Sequence, residues 1–445
     1  MMNDHVFYAN VVDDCPIIDR GEGIYLWDVN GKRYIDASSG PLVSNIGHGV
    51  KEIRDAIYAQ LEKIEFAHRL KFSNPPLQKL SDLIVEMSDG YVDWVNFCSG
   101  GSEATETALV MARSYFMEKG MPGKYKVITR WQSYHGATMG ARSLGGKPSM
   151  RKDVAPLLVN LPHVEPCYCY HCPFKQDPEC CALECADAFE TAILREGPDT
   201  VAAILVEPIG GSTIGTAVPH EGYLKRLREI CDKYNVLMMV DEVMTGIGRT
   251  GSFLAVQHWN VKPDIICMAK GLCSGYAPVG AVGCRDFIHE AVVRGSGGFW
   301  HGHTLASNPV AMSAGVAVLT YMKEHDLINN SARMGEYLLQ KLYELKEKYP
   351  QIGDVKGKGL MTGFELVKDR EAREPFDPKL NLTNKILAHG RNSGIMLYGA
   401  PHCIDGTYGD AIMISPPLTV TKEQIDEIIE YTDRVLVEVF LKLGI

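Results

Sequence analysis

Lys270 and Asp241 are the two residues of this sequence whose types and positions best suit chemistry. Lys270 comes at the end of the apolar run DIICMAKG (264–271), and Asp241 comes at the end of the apolar run NVLMMVDE (235–242). Sheets of the α/β class bind ligands at the carboxyl ends of their strands, so these opposite charges should face one cleft. A lone lysine at a strand end is more often a surface residue, and it is the upstream carboxylate that favours a shared site.

A pyridine cofactor would use both residues. Its ring nitrogen needs a carboxylate that keeps it protonated, which suits Asp241, so that the ring can accept the electrons of a substrate carbanion. It also needs an amine of lowered pKa that can form a Schiff base, which suits Lys270. A phosphate group would fit the segment SGGSEATETALVMAR (99–113), where Gly100 and Gly101 allow close approach at a helix start and Ser102 adds a hydroxyl.

Short apolar runs alternate with amphipathic ones through the middle of the chain. The runs that we interpret as buried parallel strands are 95–99, 125–130, 201–208, 235–242, 264–271 and 278–284. Between them, residues 222–234 place Leu224, Leu227, Ile230 and Cys231 on one face of a helix. Strands that alternate with helices predict an α/β sheet with connections on both faces.

The two ends of the chain have a different character. Residues 24–36 predict a hairpin with a type I′ turn at Asn30-Gly31. A helix is predicted over 334–349, strands near 359–367 and 395–398, and a last helix from Thr421. We expect a small domain made of 1–60 and 326–445, and a large domain over 61–325.

Composition excludes several classes of protein. The 445 residues include 46% apolar and 22% charged residues, as in ordinary globular proteins, and the formal net charge of -10 argues against nucleic-acid binding. No apolar stretch is long enough to cross a bilayer, and the amino-terminal residues do not resemble a signal peptide. The sequence therefore predicts a cytoplasmic protein that acts on small molecules.

One segment is rich in cysteine. Residues 163–189 hold six of the thirteen cysteines, together with His163 and His171. Such density is compatible with zinc, but the spacing is not a clean CxxC...CxxC pattern. We expect free thiols here and no metal.

Several motifs occur in an order and spacing that resemble class III aminotransferases of pyridoxal-5'-phosphate (PLP) fold type I. They are SGGSEA, SYHGATMG, VEP, VDEVMTGIGRTG, MAKGL and HGHTLASNPVA, and the resemblance covers nearly the whole chain. It implies an α/β large domain with a mostly parallel central sheet, a small α+β domain formed by both termini, and PLP as cofactor.

The resemblance also implies roles for residues around the cofactor ring. Lys270 would hold PLP as a Schiff base, and Asp241 would pair with the ring nitrogen. Tyr134 would stack on one face of the ring while Val243 packs against the other. Glu207 would join the polar network around Asp241.

For the phosphate, the resemblance implies Gly101 and Ser102 together with Thr304 from the neighbouring subunit. The protein would then be a homodimer, or a tetramer, with shared sites. His135 and His303 are expected to pack or form hydrogen bonds rather than to carry protons, and Arg249 is expected to be structural.

Two positions depart from the family and bear on the substrate. Ser212 stands where members with a glutamate switch carry Glu, and Met413 stands where many carry an Arg that grips a carboxylate. The loop 398–411 contains no arginine, although Arg69 could reach the site by another route. These departures favour ω-amino acids, taurine-like sulfonates or simple amines as donors, and pyruvate as the acceptor.

The implied reaction is transamination with ping-pong kinetics, in which the freed Lys270 moves a proton from the substrate carbon to the cofactor. A PLP-dependent lyase or epimerase on the same scaffold is the alternative, because the same motifs serve those reactions. A regulator that binds PLP without turnover would need an effector module, and no such module is visible in the sequence.

Overall fold

The structure is a computed structural model that describes residues 5–8, 15–177 and 181–445. Its strands are β1 (Ile18–Glu22), β2 (Tyr25–Asp28), β3 (Arg33–Asp36), β4 (Trp94–Cys98), β5 (Lys126–Arg130), β6 (His163–Val164), β7 (Val201–Val206), β8 (Leu237–Asp241), β9 (Ile265–Met268), β10 (Gly280–Cys284), β11 (Ile352–Lys358), β12 (Met361–Leu366), β13 (Ile395–Met396), β14 (Tyr398–Pro401) and β15 (Asp410–Ile414). Its α-helices are α1 (Ser39–Leu42), α2 (Lys51–Leu61), α3 (Pro75–Met87), α4 (Gly101–Glu118), α5 (Met139–Leu144), α6 (Pro148–Arg151), α7 (Glu184–Glu196), α8 (Tyr223–Tyr234), α9 (Asp286–Arg294), α10 (Pro309–Glu324), α11 (Leu327–Lys348), α12 (Leu382–Ser393) and α13 (Lys422–Leu443).

A seven-stranded sheet with the order β4-β10-β9-β8-β7-β5-β6 forms the centre of the molecule. The pairs β5–β6, β5–β7, β7–β8 and β8–β9 are parallel, and every residue of β7, β8 and β9 is buried. Strands covered on both faces read as continuous apolar runs, which is why the sequence revealed them. The predicted α/β class with a mostly parallel sheet is confirmed.

One strand of this sheet runs in the opposite direction to the prediction. β10 is antiparallel to both β9 and β4, so the interpretation of 278–284 as a parallel strand is wrong. The connection from β9 to β10 spans only residues 269–279 and includes no α-helix. A parallel neighbour needs a crossover of a dozen or more residues, whereas a short connection suits an antiparallel one.

The hairpin of β2 and β3 forms with a different turn. Gly31 has φ 84°, but Asn30 is not in the left-handed region that a type I′ turn requires. The Asp28 N–H donates to the Lys32 carbonyl at 3.0 Å, and Gly31 N–H donates to the Asp28 carbonyl at 2.9 Å, so the loop has three residues. The Asp28 carboxylate accepts from the backbone of both Asn30 and Lys32 at 2.9 Å, and this favours the wider loop.

Segments from both ends of the chain share a second sheet, with the order β1-β2-β3-β13. β13, from the carboxyl-terminal part of the chain, pairs in parallel with β3, from the amino-terminal part, with Ile395 opposite Ile35. A third, antiparallel sheet has the order β11-β12-β15-β14, and the sequence analysis missed β11 and β15. The division into domains at residues 60 and 325 stays a prediction.

The predicted helices are present with adjusted bounds. On α8, the predicted apolar face of Leu224, Leu227, Ile230 and Cys231 is buried. α11 begins at Leu327, before the predicted residue 334, and α13 is capped by the Thr421 side chain as predicted. No helix in the described part of the chain is long and apolar enough to cross a membrane.

Candidate active site

A cavity of about 730 Å³ lies at the carboxyl ends of β4, β8 and β9. Seven of the eight residues predicted to form the site line it, and they come from five separate segments of the chain. These seven are Gly101, Ser102, Tyr134, Glu207, Asp241, Val243 and Lys270. The eighth, Thr304, is exposed and is not among the described residues that line this cavity.

Lys270 follows β9 directly and is held in an unusual backbone conformation. Its φ of 45° lies in the left-handed region, which costs free energy for a residue with a side chain. Burial lowers the pKa of its amine to about 8, against the opposing effect of the carboxylates of Asp241 and Glu207. An amine with this pKa is partly neutral near physiological pH, so it can act as a nucleophile.

Asp241, the last residue of β8, is buried and held through both carboxylate oxygens. Oδ2 lies 2.8 Å from Nδ1 of His135, and Oδ1 accepts a 3.0 Å hydrogen bond from the Val243 N–H. His135 Nε2 lies 3.2 Å from the Thr129 hydroxyl. His135 therefore orients the carboxylate, which agrees with its predicted hydrogen-bonding role.

Glu207 follows β7 and pairs with a buried arginine. Arg130 donates from one nitrogen to the Glu207 backbone carbonyl at 3.0 Å and to its carboxylate at 3.1 Å. Burial raises the pKa of Glu207, and the nearby Asp241 raises it further, while His135 and Arg130 oppose the rise. The sequence analysis missed Arg130. The feature that could have indicated it is its charge at the end of the apolar run 125–130.

The start of α4 packs tightly against the cavity wall. A Cβ on Gly101 would lie 2.9 Å from the Val243 side chain, so a larger residue would not fit without movement. The Ser102 hydroxyl accepts a 2.9 Å hydrogen bond from the Ala137 N–H. The first N–H groups of a helix are free to bind an anion, so this end of the cavity suits a phosphate.

Tyr134 and Val243 stand on the wall of the same cavity, and the Tyr134 side chain is 38% exposed. Its ring is therefore accessible to a flat ligand. Together, the half-buried amine, the carboxylate and the helix start fit the amine-reactive carbon, the ring nitrogen and the phosphate of PLP.

The cavity also contains residues that the sequence did not indicate. Pro41 and Val43 come from the amino-terminal part of the chain, Met150 lies on α6, and Tyr398 lies on β14. No local motif marks these positions, because each reaches the cavity only through tertiary folding. Their side chains are apolar or aromatic, which suits the substrate side of a site.

The two positions that depart from the family differ in their surroundings. Ser212 lines the cavity, whereas Met413 is fully buried in a cluster with Leu42, Ile209 and Met361. Among the described residues that line the cavity, Lys270 is the one cation.

The arginines considered from sequence lie elsewhere. Arg69 donates a 2.7 Å hydrogen bond to the His301 carbonyl and does not line the cavity in the described part of the chain. Arg249 is fully buried and donates to the carbonyls of Leu360 and Pro416 and to the side chain of Asn45, as a structural residue does.

The cysteine-rich segment docks on the third sheet. Tyr168 hydrogen-bonds to the buried carboxylate of Glu365 on β12, which also pairs with Lys356 at 2.8 Å. His171 Nε2 lies 2.7 Å from the same carboxylate. In the described ranges, which leave out Cys180, no group of three or more His, Cys, Asp or Glu side chains is arranged to hold a metal ion.

Comparison with known proteins agrees with this geometry. Residues 7–436 match the family of class-III aminotransferases. The uncharacterised aminotransferase YodT of Bacillus subtilis is 36% identical over 428 residues, which cover 96% of each chain. The putrescine–pyruvate aminotransferase of Pseudomonas aeruginosa is 34% identical and covers 94% of this chain and 90% of its own.

A leucine/methionine racemase of Thermococcus litoralis is also similar, with 34% identity over 97% of this chain and 93% of its own. Among solved structures, an amine transaminase from an uncultivated Pseudomonas species in its PLP-bound form superposes with a TM-score of 0.91. It is 33% identical, and the match covers 99% of this chain and 98% of that chain. This chain belongs to the class III aminotransferase family, has PLP fold type I and uses PLP as its cofactor.

Proposed function

We propose that this aminotransferase moves an amino group from an ω-amino acid, a taurine-like sulfonate or a simple amine to a 2-oxo acid, with pyruvate as the expected acceptor. The observation that carries the proposal is that Lys270 and Asp241 line one cavity, with the pKa of the lysine lowered to about 8. PLP, when bound, supplies the electron sink that makes the substrate carbon acidic.

In this proposal, each residue of the cavity has one task. Lys270 binds the cofactor, and its freed Nζ then takes the proton from the carbon that bears the amino group. Asp241, held by His135, keeps the ring nitrogen protonated. Tyr134 and Val243 hold the ring between them, and Glu207, neutralised in part by Arg130, completes the polar side of the site.

The proposed class of amino donor rests on two side chains that are not found among the described residues lining the cavity. Ser212 lines it where a glutamate switch would need Glu, and among the described lining residues no arginine is available to grip an α-carboxylate. The similar protein from Pseudomonas aeruginosa is named for the donor putrescine and the acceptor pyruvate, which supports the same choice.

The test is a half-reaction series on the purified holoenzyme. Each donor alone (taurine, β-alanine, 4-aminobutyrate, alanine and simple amines) is mixed with the enzyme while the cofactor absorbance is followed. We expect a spectral change with amines and ω-amino acids without acceptor, and then formation of alanine when pyruvate is added. Lys270→Ala is the control, and borohydride reduction with peptide mapping should label Lys270 and no other lysine.

A PLP-dependent epimerase or lyase is the second candidate, and the similarity to the leucine/methionine racemase favours keeping it. An epimerase would invert a chiral amino acid without an acceptor and without net loss of the amino group. The enzyme can be incubated with L-leucine or L-methionine in deuterated water, and the products analysed. Formation of the D-amino acid with deuterium at the α-carbon, without release of ammonia or an oxo acid, supports the epimerase.

We also propose that the active form is a homodimer in which Thr304 of the partner subunit completes the phosphate site. Thr304 is exposed, and apolar side chains of its own segment and of residues 64–72 are also exposed, with Trp300 83% and Phe72 66% accessible. The Arg69–His301 hydrogen bond joins these two segments. Exposed apolar side chains of this kind suit burial in a subunit interface.

The shared site can be tested by complementation. Lys270→Ala chains and inactivating Thr304 variants are each without activity alone, but in a mixed dimer one site combines an intact lysine with an intact donated threonine. Partial recovery of activity is expected. A fully active monomer, or no recovery in verified heterodimers, would show that the phosphate site is made within one chain.

A further inference from the structure

Three cations surround a small cavity that adjoins the cofactor cavity. Arg142, Lys147 and Arg151 line it, and it shares Tyr134 and Met150 with the larger cavity. A substrate bound beside the cofactor could therefore extend toward these cations. Neither the family motifs nor the proposed roles account for them.

Lys147 is the most unusual of the three. Its side chain is only 8% exposed, and its ammonium forms no hydrogen bond or ion pair with any residue that the structure describes. Burial lowers the pKa of Lys147, and an ionised Cys403 would oppose that effect. Burial raises the pKa of the Cys403 thiol, so the thiol stays neutral and supplies no anion. A buried ammonium without an anion is costly, and binding an anion would offset the cost.

The two arginines leave the cavity positively charged. Nε of Arg142 is buried without a partner in the described part of the chain. Arg151 donates to the backbone carbonyls of Arg142, Ser143 and Gly145, between 2.6 and 3.1 Å. None of the ion pairs among the described residues includes Arg151. Those contacts fix its guanidinium in place but do not neutralise it.

The loop that borders the substrate side of the cofactor cavity holds this small cavity in position. Gln132 donates a 2.8 Å hydrogen bond to the His402 carbonyl, and a Cβ on Gly406 would lie 2.6 Å from Pro148, which shows how closely loop 398–411 packs on this segment. The same part of the chain carries Tyr398 into the cofactor cavity. The cations are thus built into the wall beside the substrate space.

We propose that Arg142, Lys147 and Arg151 form an anion subsite that binds the carboxylate, sulfonate or phosphate at the far end of the substrate. The proposal rests on the proposed function and narrows it to donors or acceptors with a distal anionic group. It places the anion-binding side chains on α5, on α6 and between these two helices, and not at Met413, where many family members carry arginine.

The first test compares two matched series of donors on the holoenzyme. One series is ω-amino acids from β-alanine to 6-aminohexanoate, and the other is unbranched alkylamines of the same lengths. A charge-assisted hydrogen bond should make Lys147→Met lower kcat/KM for the ω-amino acids by roughly tenfold or more. The alkylamines should change by less than about twofold, because they carry no distal anion.

Lys152→Met is the control, because it removes the same charge from an exposed position nearby. It should alter neither series, and Lys147→Arg should restore most of the selectivity. An equal loss with both donor series, or no loss in either, overturns the proposal. A weaker dimer with unchanged donor selectivity also overturns it, since the cations would then serve the subunit interface.

A second test does not depend on turnover and separates this proposal from the proposed function. Pentanoate, which carries the anion without the amine, is titrated into the holoenzyme by calorimetry. It should bind roughly tenfold more weakly to Lys147→Met than to the unchanged protein. If pentanoate binding depends on Lys147 while no amine is turned over, the subsite stands and the proposed function fails.

Inorganic sulfate distinguishes a substrate group from a free anion. Sulfate should compete with pentanoate only weakly, because it lacks the alkyl chain that occupies the cofactor cavity. Binding of sulfate more tightly than pentanoate, or binding of pentanoate that ignores Lys147, would overturn the substrate subsite.

Discussion

Glu365 is predicted to make one of the largest electrostatic contributions to stability in this protein. Its side chain is fully buried on β12, with the Lys356 ammonium 2.8 Å away, the His171 ring 2.7 Å away and the Tyr168 hydroxyl hydrogen-bonded to it. Burial opposes ionisation, but Lys356 and His171 together lower its pKa from 4.5 to about 2.

The size of the effect follows from these two pKa values. They differ by about 2.5, and each pKa unit corresponds to about 1.4 kcal/mol, so the ionised carboxylate contributes about 3 kcal/mol to the free energy of unfolding at pH 7. Because the folded pKa is the lower one, the contribution is present above pH 4.5 and is lost as the pH falls toward 2. Roughly half of this contribution should remain at pH 3.

The perturbation is Glu365→Gln, and the assay is urea unfolding of the holoenzyme at pH 7 and at pH 3. At pH 7 the variant should lose about 3 kcal/mol, since Lys356 is left buried and, among the described residues, keeps only the partly exposed Asp354, 3.6 Å away, as a carboxylate partner. At pH 3 the difference between the two proteins should fall by about half. Replacing both partners, with Lys356→Met and Glu365→Leu, should cost less than the single change.

Glu374→Gln is a matched control. Glu374 pairs with Lys368 at 2.7 Å, a similar distance, but the two side chains are 51% and 60% exposed. Its loss should cost less than about 1 kcal/mol. Equal effects of the two variants, or a Glu365 effect that does not change between pH 7 and pH 3, would refute the reasoning from burial.

Three further outcomes are expected. Burial lowers the pKa of Lys270 to about 8, so the rate of PLP capture by the apoenzyme, measured by absorbance, should be half-maximal near pH 8 and level off above it; a rate that is still rising steeply at pH 10 would contradict this. Asp241→Asn should keep PLP, measured by its absorbance, but lower kcat by orders of magnitude, and a near-normal rate would remove the electron-sink role from Asp241. Treatment with a zinc chelator should leave activity and melting temperature unchanged, whereas a loss of either would show that the segment around Cys167 holds a metal.

Local patterns carried much of the fold and of the candidate site. The buried strands β7, β8 and β9 could be predicted because both of their faces are covered, so each is a continuous apolar run. Lys270 and Asp241 could be proposed as partners because each follows such a run, and parallel neighbours bring their carboxyl ends together. The order of the motifs was enough to indicate the family.

Other features could not be read from any single segment. The direction of β10 depends on how a short connection closes against β9, and the three-residue hairpin loop depends on the side chain of Asp28. Arg130 is an unremarkable strand-end residue in the sequence and becomes a partner of Glu207 only when β5 and β7 are neighbours.

The sequence by itself determined the α/β class, the family and the cofactor, because apolar periodicity and short motifs are local properties of a chain. The tertiary structure decided which distant side chains share a space. It placed Tyr398 beside the cofactor cavity, Glu365 against the cysteine-rich segment, and Lys147 in a buried position without an anion. These arrangements depend on how loops and sheets far apart in the chain pack together, and burial in turn decides which charges are costly and which are paired.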